Sequence, residues 1–151
     1  MKISTKGRYA LRVLADIAEY GQDKNVSIRE MAERQNISDK YLEGIVSRLT
    51  AAGLVKSGRG KYGGYRLLRE PKDYNVYEIL YAAEDSIALV SCLEDDAEDC
   101  PMIGDCLTEP LWRHLQNQFR IAMQKISLQA VIDQTFMFDD ETGESDTKPI
   151  V

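Results

Sequence analysis

The spacing of hydrophobic residues at the start of the chain predicts three helices. Residues 8–20 repeat apolar side chains every three or four positions, as amphipathic helices do, and Gly21 then ends the helix. Ser27 and Glu30 form a capping-box pattern that begins a short second helix. Ser38 is a suitable N-cap for a third helix. The apolar face of this third helix consists of Leu42, Ile45, Val46, Leu49 and Ala52.

Two short strand-like runs, residues 54–57 and 65–68, follow the third helix. The glycine-rich residues 58–64 between them permit the positive φ angles of a hairpin turn. Residues 76–83 are predicted to form a short helix, and a longer helix begins near Thr108. The apolar stripe of the longer helix is Leu107, Leu111, Leu115, Phe119, Met123 and Ile126. The pattern predicts a mainly α fold with a small β-hairpin wing: a winged helix-turn-helix domain plus a long C-terminal dimerisation helix.

These elements divide the chain into five parts. Residues 1–72 are predicted to form a winged helix-turn-helix DNA-binding domain, and residues 73–90 a connecting helix. Residues 91–106 form a cysteine loop, and residues 107–134 a dimerisation helix region. The stripe of the long helix either packs on the front domain or pairs with a second copy of the chain. We favour the homodimer, because so small a chain cannot bury every side of this helix. The acidic residues 135–151 are predicted to be disordered.

The charge of the chain is divided unevenly between its two halves. The formal net charge is −6, which by itself argues against a nucleic-acid binder. Residues 1–72, however, carry 15 Lys and Arg against 8 Asp and Glu, a net charge of +7. Residues 73–151 carry 4 Lys and Arg against 17 Asp and Glu, a net charge of −13. The basic half and the acidic half are therefore expected to have different partners.

The third helix and the hairpin carry the candidate DNA contacts. In helix-turn-helix proteins the recognition helix enters the major groove, where polar side chains reach base edges and phosphates. Glu43 is predicted to accept a hydrogen bond from a cytosine amino group, and Lys40 and Arg48 to contact phosphates. Arg59 in the hairpin suits a narrow minor groove, whose negative potential attracts arginine. The predicted DNA-binding residues are Ser38, Lys40, Tyr41, Glu43, Ser47, Arg48, Arg59 and Lys61.

Each of these features also has an ordinary structural interpretation. A polar helix face is commonly solvated, and a glycine-rich hairpin is commonly a turn. Gly44 costs about 1 kcal/mol inside a helix relative to alanine, and either close approach to DNA or tight helix packing would explain it. The combination of helix-turn-helix spacing, a basic hairpin and a segment of net charge +7 favours DNA binding.

The three cysteines lie close together, which indicates metal or redox chemistry and not a disulfide framework. Seven residues separate Cys92 from Cys100, and five separate Cys100 from Cys106. These spacings are wider than usual zinc pairs and differ from common ferredoxin patterns. Thiolates nevertheless suit an iron–sulfur cluster or zinc. The alternative is three unrelated free cysteines on a solvated acidic loop.

Acidic residues surround the cysteines, and no Lys or Arg lies between residues 92 and 109. Because nearby negative charge raises the pKa of a thiol, we expect no free reactive thiolate here, whereas a metal centre would supply positive charge. Glu109, three residues after the last cysteine, is the nearest candidate for a fourth ligand. His114, the only histidine, lies about a turn further along the helix and has doubtful reach.

Several classes of protein are excluded or disfavoured. No apolar run approaches the length of a transmembrane helix, and no signal-peptide pattern follows the N-terminus, so a cytoplasmic protein is expected. No nucleophile–base pair or phosphate-binding motif is evident, so the chain is not expected to be an enzyme or to have a small-molecule substrate.

A set of short motifs is spread over residues 1–134. In the helical front half they are Lys6-Gly7-Arg8-Tyr9-Ala10, Tyr41-Leu42-Glu43, Ser47-Arg48-Leu49 and Gly53-Leu54-Val55. In the wing and beyond they are Arg59-Gly60, Gly63-Gly64-Tyr65, Cys106-Leu107-Thr108 and Leu111-Trp112-Arg113. Together these motifs resemble the Rrf2 family of winged-helix transcription regulators.

The resemblance implies a homodimeric regulator, expected to be a repressor, in which a loop between the DNA-binding domain and the dimerisation helix holds an iron–sulfur cluster. By position it makes Cys92, Cys100 and Cys106 cluster ligands, Glu43 a base-reading residue and Arg59 a minor-groove residue.

The sequence departs from the family where cluster-binding members carry histidine three residues after the last cysteine. Glu109 occupies that position here, and the first cysteine gap is longer. The candidates are a 2Fe-2S cluster with Glu109, which we favour, a 4Fe-4S cluster with an outside ligand, or ligation completed by the partner subunit. Two alternative functions stay open: a winged-helix regulator that senses a metabolite or thiol oxidation without a cluster, and an iron–sulfur or protein-interaction module that does not bind DNA.

Overall fold

The computed structural model describes residues 3–58, 60, 63–97, 100, 102 and 104–136. These residues form six α-helices, one β-hairpin, and 3₁₀ turns at Pro71–Asp73 and Ser91–Leu93. The helices are α1 (Thr5–Tyr20), α2 (Ile28–Gln35), α3 (Asp39–Ala51), α4 (Val76–Ala83), α5 (Glu109–Lys125) and α6 (Leu128–Asp133). The hairpin pairs β1 (Val55–Gly58) with β2 (Gly64–Leu67) in antiparallel register. Among the described helices, none is long and apolar enough to cross a membrane.

Local capping explains where the first helices begin. α1 begins three residues earlier than the apolar spacing predicts, because the Ser4 hydroxyl accepts a hydrogen bond from the Lys6 N–H at 3.0 Å. The predicted capping box of α2 is confirmed: Ser27 Oγ accepts from the Glu30 N–H, and Glu30 Oε2 accepts from the Ser27 N–H at 2.8 Å. Ser38 is the N-cap residue of α3, as predicted, but its side chain makes no capping hydrogen bond.

A single hydrophobic core joins α1 through α4 and α6. The predicted apolar face of α3 is confirmed for Leu42, Ile45, Val46 and Leu49, which are all buried. The prediction is wrong for Ala52, which is the exposed C-cap residue because the helix has already ended at Ala51. Buried residues of the other helices complete this core, among them Val13, Leu14, Ile17, Met31, Ile79, Ala83 and Leu128.

One buried charge lies at the junction of α1 and α2. The Asp16 side chain is fully buried and accepts two hydrogen bonds from the Arg34 guanidinium, at 2.9 and 2.6 Å. Gln35 Nε2 donates a third, at 2.9 Å. The Arg34 guanidinium also lies over the Tyr20 ring, 4.2 Å from its centroid. This paired and hydrogen-bonded arrangement holds α2 against α1.

The base of the hairpin is fixed by one buried tyrosine. The Tyr74 hydroxyl donates to the carbonyl oxygen of Leu54, just before β1, at 2.8 Å. It accepts from the backbone N–H groups of Leu68 and Arg69, just after β2, at 2.9 Å each. Val26 adds a further bridge to β2, through two backbone hydrogen bonds with Tyr65. The hairpin is therefore anchored on both sides at its root.

The C-terminal region contains two helices and not one continuous one. α5 has 17 residues, about 25 Å of helix, and none of them is buried. Leu111 and Phe119 of its predicted stripe are 52% and 48% exposed, and Leu107 lies before the helix and is 97% exposed. Ile126 has extended backbone angles, which end α5. Leu128, at the start of α6, is fully buried in the core of the front half.

Candidate nucleic-acid interface and thiol segment

The outward face of α3 presents the polar residues that the sequence singles out. Ser38, Lys40, Tyr41, Glu43 and Ser47 are all exposed, and Arg48 is half-buried. α3 follows α2 across a tight turn, in which Asn36 adopts a left-handed conformation (φ 53°) and Ile37 is buried. The buried Ile37 and the apolar face of α3 fix which side of the helix faces solvent. Arg59 and Lys61 lie outside the described residues.

α1 contributes aromatic and basic side chains to the same surface, which the sequence reasoning missed. The Tyr9 ring meets the Tyr41 ring edge-on, with centroids 5.8 Å apart. The Arg12 guanidinium lies 5.1 Å from the centroid of Tyr9 and donates to the carbonyl oxygen of Gln35 at 2.6 Å. Tyr9 and Arg12 lie three residues apart, so they share one face of α1. This three-residue spacing is the sequence signal that could have placed Tyr9 and Arg12 on one surface.

Gly44 is an exposed helical glycine with open space beside it. A Cβ built at this position would meet nothing within 4 Å among the described residues. The tight-packing explanation for this glycine is therefore wrong, since no described residue of a neighbouring element lies within 4 Å of that position. Close approach of an external molecule stays as the explanation.

Two acidic residues at the end of α4 hold the first turn of α1 and the side chain of Arg48 on α3. Glu84 Oε1 accepts from the backbone N–H groups of Ser4 and Gly7, at 2.8 and 3.2 Å. The Asp85 carboxylate pairs with Lys6 Nζ and with Arg48 Nη2, at 2.7 Å each. These contacts lower the pKa of the Asp85 carboxyl, the hydrogen bond from Lys6 first and that from Arg48 second.

Arg48 is thus already engaged within the chain, since Nη1 also donates to the carbonyl oxygen of Ala83 at 3.2 Å. The sequence reasoning, which placed Arg48 on the DNA face, did not foresee these contacts. Its partner Asp85 lies 37 residues away along the chain, and no local spacing pattern connects the two.

The three cysteines are free thiols between α4 and α5. We refer to residues 84–108, which join these two helices, as the thiol segment. Cys92 is exposed within the 3₁₀ turn Ser91–Leu93, and Cys100 and Cys106 are half-buried. Within the described part of the chain, no group of three or more Cys, His, Asp or Glu side chains is close enough together to hold a metal ion. The donor chemistry suits an iron–sulfur cluster, because three accessible thiols lie on one irregular segment. A metal site at these thiols would require the segment to rearrange.

Glu109 fits poorly as a fourth ligand. Its carboxylate accepts a hydrogen bond from Arg113 Nε at 2.6 Å, one turn further along α5. Together Glu109 and Arg113 form an ion pair at the start of this helix. Ligation by Glu109 would require this pair to break, and a carboxylate is in any case a hard ligand for iron–sulfur iron.

The pKa of the Cys106 thiol is lowered, which corrects the expectation drawn from the acidic surroundings. The hydrogen bond from the Thr108 side chain contributes most, with Sγ and Oγ1 3.5 Å apart. The backbone N–H groups of Thr108 and Glu109 add to it. The negative charge of Glu109 does oppose the shift, as expected, but hydrogen-bond donors at the start of α5 outweigh it.

The first part of the thiol segment is docked between α4 and α5. The side chain of Gln116 on α5 accepts from the Leu89 N–H and donates to the Leu93 carbonyl oxygen. The Tyr81 hydroxyl on α4 donates to the Asp95 carboxylate at 2.5 Å. An open cavity of about 610 Å³ lies along α5 beside this segment. It is lined by Tyr77, Leu89, Arg113, His114, Phe119 and Met123, among others.

Comparison with known proteins identifies the family. Residues 3–134 match Rrf2, described as an iron-dependent transcriptional regulator. The transcriptional regulator IscR of Photorhabdus laumondii is 35% identical over 139 residues, which cover 92% of this chain and 84% of that protein.

Solved structures that share the fold include those of two named regulators. The structure of CymR, the global cysteine regulator of B. subtilis, has a TM-score of 0.70 and 35% identity, and the match covers 89% of this chain and 98% of that one. The structure of T. potens IscR has a TM-score of 0.68 and 32% identity, and the match covers 89% of this chain and 88% of that one. These similarities confirm a mainly helical winged-helix fold, and the relatives are named as regulators, in line with the prediction that the chain is not an enzyme. The chain belongs to the Rrf2 family of transcription regulators.

Proposed function

We propose that the protein acts as a homodimeric DNA-binding repressor whose operator affinity is controlled by an iron–sulfur cluster bound to Cys92, Cys100 and Cys106. The observation that carries this proposal is the placement of three free thiols between α4 and α5. Asp85, the second residue after α4, is ion-paired to the proposed recognition helix α3 through Arg48. Chemistry at the thiols therefore has a short covalent route to the DNA-facing surface.

The residues of α3 supply the proposed DNA contacts. Glu43 faces solvent and reads base edges in the major groove, while Ser38, Lys40, Tyr41 and Ser47 position the helix on the duplex. Arg59 and Lys61 in the hairpin are proposed to contact the adjacent minor groove and phosphates.

The thiol segment supplies the proposed sensor. Cys106 lies three residues before α5, and its lowered pKa favours the thiolate that ligates metal. The cluster, when bound, supplies a redox-active centre of soft ligands that responds to iron supply or oxidants. The iron-dependent description of the family and the similarity to IscR support this assignment. Of the cluster types we favour 2Fe-2S. Because the Glu109 carboxylate is hydrogen-bonded to Arg113, we rank Glu109 below the three cysteines as a candidate ligand.

A second candidate function is thiol or metabolite sensing without a cluster. The similar CymR is the global cysteine regulator of B. subtilis. The lowered pKa of Cys106 and the exposure of Cys92 are compatible with direct oxidation of these thiols.

Anaerobic reconstitution with iron and sulfide separates the two candidates. Wild-type protein is expected to bind both and to gain visible absorption, and Cys92→Ser, Cys100→Ser and Cys106→Ser each to lose them. Ser91→Ala, beside Cys92 in the same turn, serves as the control and should retain the cluster. Wild-type protein without iron or visible absorption would overturn the cluster. If an oxidant then still changed DNA affinity, the thiol candidate would stand.

Salt dependence tests the DNA-binding part of the proposal. The logarithm of the affinity for duplex DNA should fall linearly with the logarithm of salt concentration, because contacts to phosphates release counterions. Protein that does not bind duplex DNA at low salt would favour a protein-interaction module instead.

The proposed dimer rests on the uncovered apolar side chains of α5. Leu111 and Phe119 are half exposed and lie two turns apart on one side of the helix. We expect Phe119→Glu to shift the sedimentation coefficient from dimer to monomer, while Gln118→Glu, the neighbouring exposed position, leaves it unchanged. A wild-type protein that sediments as a monomer would overturn the dimer.

A further inference from the structure

A shallow concavity lies on the recognition helix around Gly44. Its volume is about 160 Å³, and it is lined by Lys6, Lys40, Tyr41, Gly44, Ile45 and Arg48. We refer to these residues as the Gly44 notch. Three of the six carry a positive charge, and they come from two helices, α1 and α3. The floor is open because no side chain projects from Gly44 and nothing among the described residues lies within 4 Å of where a Cβ would be.

The notch has the chemistry of an anion site. Lys40 is exposed, and it forms no ion pair with any described residue. Lys6 on α1 and Arg48 on α3 converge here, and both are held by one carboxylate, that of Asp85. The Asp85 carboxylate is thus an oxyanion of the chain itself that already binds at the edge of the notch. Asp85 is 71% exposed, so an external anion can displace it without opening the core.

We propose that the Gly44 notch binds a phosphodiester group of duplex DNA, and that Asp85 competes with that phosphate for Lys6 and Arg48 when DNA is absent. The inference rests on the proposed DNA-binding function and deepens it. Lys6, which sequence reasoning did not include, becomes a phosphate contact together with Lys40 and Arg48. Gly44 becomes the residue that lets the DNA backbone approach α3 closely.

The position of Asp85 makes this competition sensitive to the rest of the molecule. Its neighbour Glu84 is fixed to the first turn of α1 by two backbone N–H groups. Asp85 itself begins the irregular segment that reaches Cys92 seven residues later. DNA binding is therefore linked to the release of Asp85 from Lys6 and Arg48. Any change in the thiol segment that withdraws Asp85 raises DNA affinity.

Two variants test the notch with a fluorescein-labelled mixed-sequence duplex and fluorescence anisotropy. Gly44→Leu fills the notch with a good helix former, so the protein should remain folded while DNA affinity falls severalfold. The slope of log affinity against log salt should decrease by about 0.9, the value of one lost phosphate contact. Ala51→Leu, two turns along α3 and outside the notch, is the matched control. Thermal unfolding checks that both variants are folded.

Asp85→Asn removes the competing carboxylate and should raise DNA affinity by at least about two- to fivefold, the range of one of the two exposed ion pairs that it breaks. Asp23→Asn changes the net charge equally at an exposed position after α1 and should have a smaller effect. In a Lys6→Gln/Arg48→Gln background, Asp85→Asn should give no more than this control effect. A general charge effect would instead give the same increase in both backgrounds.

The outcomes separate this inference from the proposed function. Wild-type protein that binds no duplex at low salt overturns both. Wild-type protein that binds duplex DNA, with Gly44→Leu and Asp85→Asn each matching its control, overturns the notch alone and leaves DNA binding standing.

Discussion

Replacement of Tyr74 by phenylalanine isolates the contribution of one hydroxyl group to the stability of the protein. The ring is 1% exposed, and phenylalanine preserves it, along with the Arg69 guanidinium 4.2 Å from its centroid. Three hydrogen bonds are lost: one to the buried Leu54 carbonyl and two from the part-buried N–H groups of Leu68 and Arg69. An unsatisfied buried carbonyl costs about 1–3 kcal/mol, and the N–H groups, which water can reach, add about 1 kcal/mol together.

We therefore expect Tyr74→Phe to lower the free energy of unfolding by about 2–4 kcal/mol. With a urea m-value of about 2 kcal/mol/M, the midpoint of unfolding falls by about 1–2 M. Urea titration followed by circular dichroism measures this directly. Tyr20→Phe is the matched control, because Tyr20 is 43% exposed and its contact with Arg34 is made through the ring. A loss below about 0.5 kcal/mol for Tyr74→Phe would refute the reasoning, since surface substitutions reach that value.

Three further substitutions test other contacts. Asp16→Ala leaves the Arg34 guanidinium without its carboxylate and should cost about 2–4 kcal/mol in urea titrations, less than a fully buried pair because the Arg34 side chain is 28% exposed. Backbone and side-chain hydrogen bonds from Ser27, and one from Lys24, lower the pKa of Glu30 from 4.5 to about 2. The stability that Glu30 contributes is therefore present above pH 4.5 and lost as the pH falls toward 2, so Glu30→Gln should flatten the acid-unfolding curve in that window. Gly7→Ala places a methyl group against Glu84 Oε1 and should destabilise the protein by about 1–3 kcal/mol, measured by thermal unfolding.

Each of these predictions has a result that contradicts it. An unchanged urea midpoint for Asp16→Ala would mean that Arg34 and Gln35 find other partners. Parallel acid-unfolding curves for wild-type protein and Glu30→Gln would mean that the carboxyl titrates alike in the folded and unfolded chain. A more stable Gly7→Ala variant would show that helix propensity outweighs the contact with Glu84.

Local features of the fold were predictable from the sequence, because they depend on residues a few positions apart. The capping box at Ser27 and the apolar face of α3 are of this kind. Contacts across the fold were not: Arg34 reaches Asp16 over 18 residues, and Arg48 reaches Asp85 over 37. No periodicity connects such pairs, since they are set by how the helices pack.

For the candidate site, residue identity was easier to predict than environment. The polar residues of α3 were identified by their spacing, and their exposure follows from the buried face opposite. The acidic composition around the thiols suggested a raised pKa, but the pKa of Cys106 is set by the hydroxyl and N–H donors at the start of α5. The composition of the segment gives only the number of nearby charges. The pKa of a thiol also depends on which donors lie within hydrogen-bonding distance of it.

The return of the chain to its own core after α5 determines how the protein can be dissected. Backbone hydrogen bonds join Val76 to Ile126 and Leu128 to Tyr74, and the Leu128 side chain is fully buried among residues of the front half. A fragment that stops after the wing would lack both α4 and the Leu128 side chain, leaving a hole in its core. We therefore expect the smallest fragment that folds independently to extend through Asp133, with α5 and the thiol segment forming a loop that leaves the front half of the chain and comes back to it.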